Sequence, residues 1–176
     1  MFGIKACGII LIIVASSGIG FSISNIMKLR LLELAELKKL ILMLRGEIKY
    51  IGTPLGEAFG VIGRRTKGIY STLFQDTEKE LEKLDGKNIA DIWKEQMETA
   101  QMIKKSHLSD NDWKWLLNFA QNLGYLDKEM QLGTIELYME QLESTLAEGN
   151  RSYGKNSKLC KCLGISAGLL LTIVFL

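Results

Sequence analysis

The sequence predicts an all-α protein: an antiparallel bundle of about six helices flanked by an N-terminal and a C-terminal transmembrane helix. Three observations carry this prediction. Proline occurs once in 176 residues, which leaves nearly the whole chain free to be helical. Between Lys28 and Lys161 apolar residues recur at helical spacing, and no segment there alternates with period two. Hydrophobic residues make up 47% of the chain, with a mean hydropathy of +0.11 despite 24% charged residues. Apolar residues are therefore gathered into segments, and the strongest of these lie at the two ends.

At the first end no charge occurs between Lys5 and Lys28. Residues 6–27 (ACGIILIIVASSGIGFSISNIM) would rise about 33 Å as a helix, enough to cross the hydrocarbon core. A cleaved signal peptide is the competing reading, with Lys5 as the charged start and Ala15-Ser16-Ser17 as the small-residue cleavage site. A lipoprotein signal fits less well, because Lys5 interrupts the apolar run that should precede Cys7.

At the other end, residues 162–176 (CLGISAGLLLTIVFL) reach about 22 Å, short for a span. Counting back to Leu159 and letting Lys161 snorkel gives about 27 Å. The run is apolar on every face, whereas a buried core helix normally shows a polar edge. The sequence leaves open whether it crosses fully or lies in the interface. Gly164 and Gly168 form a GxxxG, and Ser16 and Gly20 a small-xxx-small; such spacings let membrane helices approach closely. The chain thus divides into an anchor (1–27), a bundle (28–158) and a C-terminal span (159–176).

Charge sets the expected topology. Lys28, Arg30, Lys38 and Lys39 follow the first span, and Arg151, Lys155, Lys158 and Lys161 precede the second. The far side holds Lys5 and the N-terminal amine, so the bundle is expected in the cytoplasm and both termini outside.

Within the bundle, Leu37, Leu40, Ile41, Leu44, Ile48 and Ile51 line one face of a helix that leaves the membrane and ends near Tyr50. Thr53 then fits an N-cap and Pro54 a first helical position. Leu55, Ala58, Phe59 and Ile62 face the core in the second helix, which closes at Arg64-Arg65-Thr66-Lys67-Gly68. The third helix buries Tyr70, Leu73, Phe74, Thr77, Leu81 and Leu84 and carries charge on its other side. Asp85-Gly86-Lys87-Asn88 is a turn, and Asn88 caps a fourth helix bearing Ile89, Ile92, Trp93, Met97 and Ala100. Ser109-Asp110-Asn111-Asp112 resembles a capping box. The fifth helix buries Trp113, Leu116, Leu117, Ala120 and Leu123 and stops at Gly124. Asp127 can cap the sixth, whose face is Ile135, Tyr138, Met139, Leu142 and Leu146. Residues 148–158 (EGNRSYGKNSK) read as a hinge or as a continuation into the last span.

Few motifs carry chemistry. The single His107, in Lys104-Lys105-Ser106-His107, lies in no pattern that signals a nucleophile with an orienting group. Cys160-x-Cys162 lacks the second pair of a zinc site, and three Cys do not suit a disulfide framework. Gly60-Val61-Ile62-Gly63 before Arg64-Arg65 looks like a nucleic-acid-clamping GxxG loop, but that loop belongs to a sheet-containing fold. No phosphate-binding GxxxxGK[ST] occurs. Asn150-Arg151-Ser152 matches a glycosylation acceptor that a cytoplasmic position would leave inert. A net charge of +2 disfavours a dedicated nucleic-acid binder. No enzyme, cofactor or metal is expected. The surfaces that remain are a basic cluster, Arg64, Arg65 and Lys67, and an acidic face that includes Asp76 and Glu80. Each is a solvated face or a protein-docking patch.

One pattern covers essentially the whole chain. An N-terminal span leads into a helix ending Glu47-Ile48-Lys49-Tyr50, then Thr53-Pro54-Leu55. Later come Phe119-x-x-x-Leu123-Gly124-x-x-Asp127-x-x-x-Gln131 and Leu163-Gly164-x-x-x-Gly168-Leu169-Leu170. This resembles the stage III sporulation protein AB family of endospore-forming bacteria. Ala120 departs from it, standing where the family usually has Gly. The resemblance implies a soluble part similar to the cytoplasmic domain of the inner-membrane platform protein of type II secretion and type IV pilus systems, an antiparallel six-helix bundle. It implies a place in the complex between mother cell and forespore, in the mother-cell or outer forespore membrane. It also implies docking of a secretion-type ATPase, stage III sporulation protein AA, beside other membrane components. It brings no catalytic residue. Thr53, Pro54 and Leu55 are expected to form a structural turn, and Phe119, Leu123, Gly124, Asp127 and Gln131 a helix stop, cap and core. The alternative is an extracytoplasmic helical binding or structural module, which the basic flanks disfavour. A small membrane enzyme is a third reading, discouraged by the single His.

Overall fold

The computed structural model describes residues 2–83, 85–98, 102, 105–124 and 127–174. Leu84, Ala100, Lys104 and Leu176, named above, lie outside the described residues. The helices are α1 (Phe2–Gly46), α2 (Leu55–Arg65), α3 (Ile69–Glu82), α4 (Ile89–Met97), α5 (Asp110–Leu123) and α6 (Lys128–Val174), with a π-helical turn (Glu47–Ile51) after α1. The described residues contain no strand. The chain divides into two units, Glu33–Thr145 and the pair Met1–Leu32 with Leu146–Leu176.

In the unit Glu33–Thr145 the expected apolar stripe of α1 is buried, with Leu34, Leu37, Leu40, Ile41, Leu44 and Ile48 at 1–2% exposure. It packs in a core with Ala58, Phe59 and Ile62 of α2, Tyr70 and Leu73 of α3, Leu116 and Ala120 of α5, and Ile135 and Leu142 of α6. The residues of α1 and α6 in this unit run antiparallel. Lys38 bridges to Glu143 at 2.8 Å and Arg45 to Glu136 at 2.5 Å. Such exposed pairs contribute about 0–1 kcal/mol each, so apolar burial holds the two helices.

An aromatic chain crosses this core. Trp93 of α4 stacks on Phe74 at 5.8 Å, meets Phe59 edge-on at 5.8 Å and leans on Phe119 at 6.4 Å. Phe119 continues to Tyr138 at 5.2 Å and Trp115 at 6.3 Å. The buried indole N–H of Trp93 donates to Thr77 Oγ1 at 2.8 Å, and the Thr77 hydroxyl donates to the Leu73 carbonyl at 2.6 Å. Both polar side-chain groups of this cluster, the Trp93 N–H and the Thr77 hydroxyl, are therefore satisfied.

Caps at three helix starts follow the sequence. The Asn88 side chain accepts from the Ala90 N–H at 3.4 Å, Ser109 and Asp112 form a reciprocal capping box, and Asp127 accepts from the Met130 N–H at 2.9 Å. Residues 148–158 are continuous helix within α6, not a hinge.

Two expectations are corrected where α1 ends. Ile51 is exposed (69%) rather than on the core face, because the π-turn adds a residue to the turn and rotates it out of register. Gly52, with φ 77°, closes that turn in a left-handed conformation, its N–H donating to the Glu47 carbonyl. Thr53 does not cap α2. Pro54 is the N-cap, in an extended conformation with no side-chain bond, and the Thr53 hydroxyl donates to Glu47 Oε2 at 3.2 Å instead.

The unit Met1–Leu32 with Leu146–Leu176 pairs the start of α1 with the end of α6 in antiparallel fashion. Ser24 and Ser157 share a hydrogen bond of 2.6 Å, and both are buried. The large apolar side chains point outward: Leu11, Val14 and Ile19 on α1, and Leu163, Leu170 and Ile173 on α6, are 59–73% exposed. Among the described residues, Gly8–Ile51 is the one stretch long and apolar enough to cross a membrane by length and composition.

Removing the aromatic keystone should cost most. Trp93→Ala is expected to destabilise the bundle by about 3–5 kcal/mol, read as a fall in the urea midpoint followed by circular dichroism.

Candidate functional site

The first turn of α2, the last turns of α3, the turn before α4 and the end of α5 converge on a groove of about 550 Å³. Its apolar lining is Leu55, Leu81 and Ile89, and Glu57, Glu78, Glu82 and Lys87 stand around it. Glycine makes the walls meet. A Cβ at Gly124 would stand 2.5 Å from the Asn88 side-chain oxygen, so this position needs glycine for close approach. Its φ of −70° is ordinary right-handed backbone, which makes the helix stop there a matter of space, not of turn conformation. Gly60 likewise leaves its Cβ space to the Glu78 carboxylate, which accepts from Arg64 at 2.6 Å.

Residues that the sequence pattern scatters are gathered here. Pro54, Leu55, Gly124 and Gln131 all line the groove. Phe119 and Leu123 lie buried in the core, Asp127 caps α6, and Thr53 faces Glu47. Sequence reasoning took Pro54, Leu55, Gly124 and Gln131 for separate structural positions, and nothing in one-dimensional spacing brings residues 54, 124 and 131 together.

The basic cluster is divided. Arg64 pairs with Glu78, Arg65 pairs with Glu47 at 2.9 Å, and Lys67 is exposed. On the acidic face Asp76 holds Lys79 at 3.0 Å and Glu80 holds Lys83 at 2.5 Å. The hydrogen bond from Lys83 holds the Glu80 carboxyl below the usual carboxylate range. Four of these five candidate docking residues thus carry a partner within the bundle.

Two buried carboxylates were missed. Glu33 (9% exposed) accepts from the Tyr70 hydroxyl at 2.7 Å, the Ser106 hydroxyl at 2.7 Å and the His107 backbone N–H at 2.6 Å. It therefore ties α1 to α3 and to the loop before α5. Glu47 (5% exposed) accepts from Arg65 and Thr53 and ties the π-turn to α2. The signal was present: Glu33 is four residues before Leu37 and Glu47 three after Leu44, on the edge of the buried stripe. Burial and the neighbouring Glu33 carboxylate push the Tyr70 hydroxyl far above the ordinary tyrosine range. His107, the residue weighed for chemistry, lends its backbone to Glu33, and its imidazole Nδ1 is 3.6 Å from the same carboxylate.

In the helix-pair unit the four small residues singled out from the sequence meet. A Cβ on Gly20 would stand 3.3 Å from the Gly164 Cα and 2.5 Å from the Cys160 carbonyl oxygen. One on Gly164 would stand 2.8 Å from the Ser16 carbonyl oxygen, and one on Gly168 would collide with the Ser16 side chain. Ser16 folds its hydroxyl back onto the Ile13 carbonyl at 3.2 Å.

The stage III sporulation protein AB family profile matches residues 5–176, nearly the whole chain. The chain belongs to the stage III sporulation protein AB family. Stage III sporulation protein AB of Bacillus subtilis (strain 168) is 28% identical over 173 residues, covering 98% of this chain and 99% of the relative. A solved structure of a stage III sporulation protein AB matches with a TM-score of 0.60 at 24% identity, over 72% of this chain and 97% of that one. At that identity the structural match shows the shared all-helical fold. The all-helical fold expected from the sequence pattern and the family it resembles agree with these findings.

The Tyr70 site has a pH signature. Its hydroxyl is neutral in the folded state at pH values where an unfolded tyrosine, with a pKa of about 10, ionises. The raised value contributes stability that is complete below pH about 10 and is lost as pH rises beyond it. Urea midpoints measured from pH 8 to 11 (roughly the tyrosine window) should fall at the alkaline end. In Tyr70→Phe that alkaline fall should shrink while stability at neutral pH drops.

Proposed function

We propose that this protein is a non-enzymatic membrane scaffold in the secretion-like sporulation channel between mother cell and forespore. Both chain ends cross the membrane, the bundle faces the cytoplasm, and the bundle docks the secretion-type ATPase, stage III sporulation protein AA. The observation that carries this reading is the inverted burial of the helix-pair unit. Apart from Leu31, its buried side chains are Ser24, Ser157 and Thr172, beside close-packed glycines, and its exposed large side chains are leucine, isoleucine, valine and phenylalanine. Each large apolar side chain left in water forgoes about 1.5–3 kcal/mol of burial. In lipid the same exterior is matched to acyl chains, and small residues with hydroxyl bonds are what holds membrane helices together.

The basic residues flanking both spans, Lys28 and Arg30 on one side and Lys155, Lys158 and Lys161 on the other, support a cytoplasmic bundle. The buried carboxylates Glu33 and Glu47 are engaged by structural donors, which suits a docking body better than a reaction centre. The ATPase as partner rests on the likeness of the family's soluble part to secretion platform proteins.

Topology is the first test. In a chain with Cys7, Cys160 and Cys162 replaced and exposed Lys105 changed to Cys, a membrane-impermeant thiol reagent should leave intact cells unlabelled until lysis. Labelling of intact cells would instead make an extracytoplasmic module the account. The full-length chain, solubilised and immobilised, is also expected to retain the ATPase; passage of the ATPase through the column would end the docking assignment.

A further inference from the structure

The groove between α2, α3 and α4 has a charge pattern that specifies what fits it. Glu57 and Glu82 are exposed on its rim, and no cation is paired with either among the described residues. Glu78 adds a third carboxylate, 15% exposed and bridged to Arg64. The lone ammonium on the lining, Lys87, is held by Glu95, with bonds of 2.9 and 3.0 Å. That pairing raises the Lys87 pKa and keeps its charge engaged away from the two rim carboxylates. Between these charges Leu55 and Leu81, both half-buried, offer apolar surface over buried Ile89. The groove is therefore apolar along its floor and anionic along its rim.

The walls are built, not incidental. Asn88 caps α4 and at the same time occupies the space left by Gly124, so the α4 wall and the end of α5 are in contact. Gly60 admits the Glu78 carboxylate against the backbone of α2, which sets the distance between the α2 and α3 walls. A ligand of this groove meets a preformed surface, with little ordering cost.

We propose that the groove receives a short segment of a partner protein whose apolar side chains are flanked by Lys or Arg. The apolar side chains seat on Leu55 and Leu81, which Ile89 backs from the core, and the flanking cations meet Glu57 and Glu82. An acidic segment meets uncompensated like charge and is rejected. This proposal rests on the docking role argued above and names the surface and the chemistry of that contact.

The test uses the full-length chain in nanodiscs of zwitterionic lipid. The probe is a short synthetic peptide with leucines on one helical face and arginines on the other, carrying one photoreactive leucine. Empty nanodiscs give the background. Irradiation should attach the peptide at Leu55, Leu81 or their neighbours, mapped by mass spectrometry, and the yield should fall as salt is raised. Glu57→Lys with Glu82→Lys should lower the yield about tenfold. Both positions are exposed, so the melting curve should be unchanged, and the Gln pair should fall in between. A peptide with glutamates in place of the arginines should not attach there.

Equal attachment of the acidic peptide, indifference to the charge reversal, or attachment elsewhere would overturn the proposal. So would cross-links between two copies of the chain through this groove. Retention of the ATPase without peptide attachment overturns the groove and leaves the scaffold standing. Attachment without ATPase retention supports the groove and removes the ATPase from the scaffold reading.

Discussion

The indole of Trp93 is the contact on which the bundle turns. α4 has nine residues, too few to be stable as an isolated helix. What holds it is one side chain inserted between Phe59, Phe74 and Phe119 and pinned at its nitrogen by Thr77. Five residues before Trp93 stands Asn88, which starts α4 and fills the space beside Gly124. The groove thus inherits its shape from the core: Trp93 places α4, α4 places Asn88 and Ile89, and these close one wall. A surface feature with such support is rigid for the same reason the interior is close-packed.

The two buried carboxylates do a different job. Apolar stripes alone let one helix slide or rotate against another at small cost, and a charge inside the bundle does not. Glu33 needs donors from α3 and from the loop before α5 in one arrangement, and Glu47 needs Arg65 and Thr53. Each is expensive to bury, and each is satisfied in one register only. Losing either set of donors would leave a buried carboxylate uncompensated, at a cost of about 3–5 kcal/mol.

Helix order and three of the helix starts were legible because period and capping act locally. The stripe Leu37–Leu40–Ile41–Leu44–Ile48, the Ser109 box and the Asp127 cap needed no tertiary information. Ile51 was misplaced because a π-turn changes the angle per residue without any residue that announces it, apart from Gly52 just after. Thr53 was misread because Glu47 competes for its hydroxyl. The glycines and serines of the end segments were readable as a packing pattern, although which helix they pack on was not. The groove was invisible because its lining comes from five elements, and its glycines matter through what occupies their missing side chains. The resemblance to the family supplied what chemistry alone could not: that the chain belongs with sporulation proteins at all.

The hydrogen bond from Ser24 to Ser157 joins residues 133 positions apart. Closing so long a loop costs about 4 kcal/mol in chain entropy, and the seam of Ser16, Gly20, Gly164 and Gly168 can form only after Gly168 has been synthesised. During translation the first apolar segment must therefore wait with its small, polar face unmatched. Until residues 157–168 have been made, Ser24 lacks its hydroxyl partner and Gly20 lacks the backbone it packs against. The order of synthesis thereby makes this contact one of the last that the chain can form.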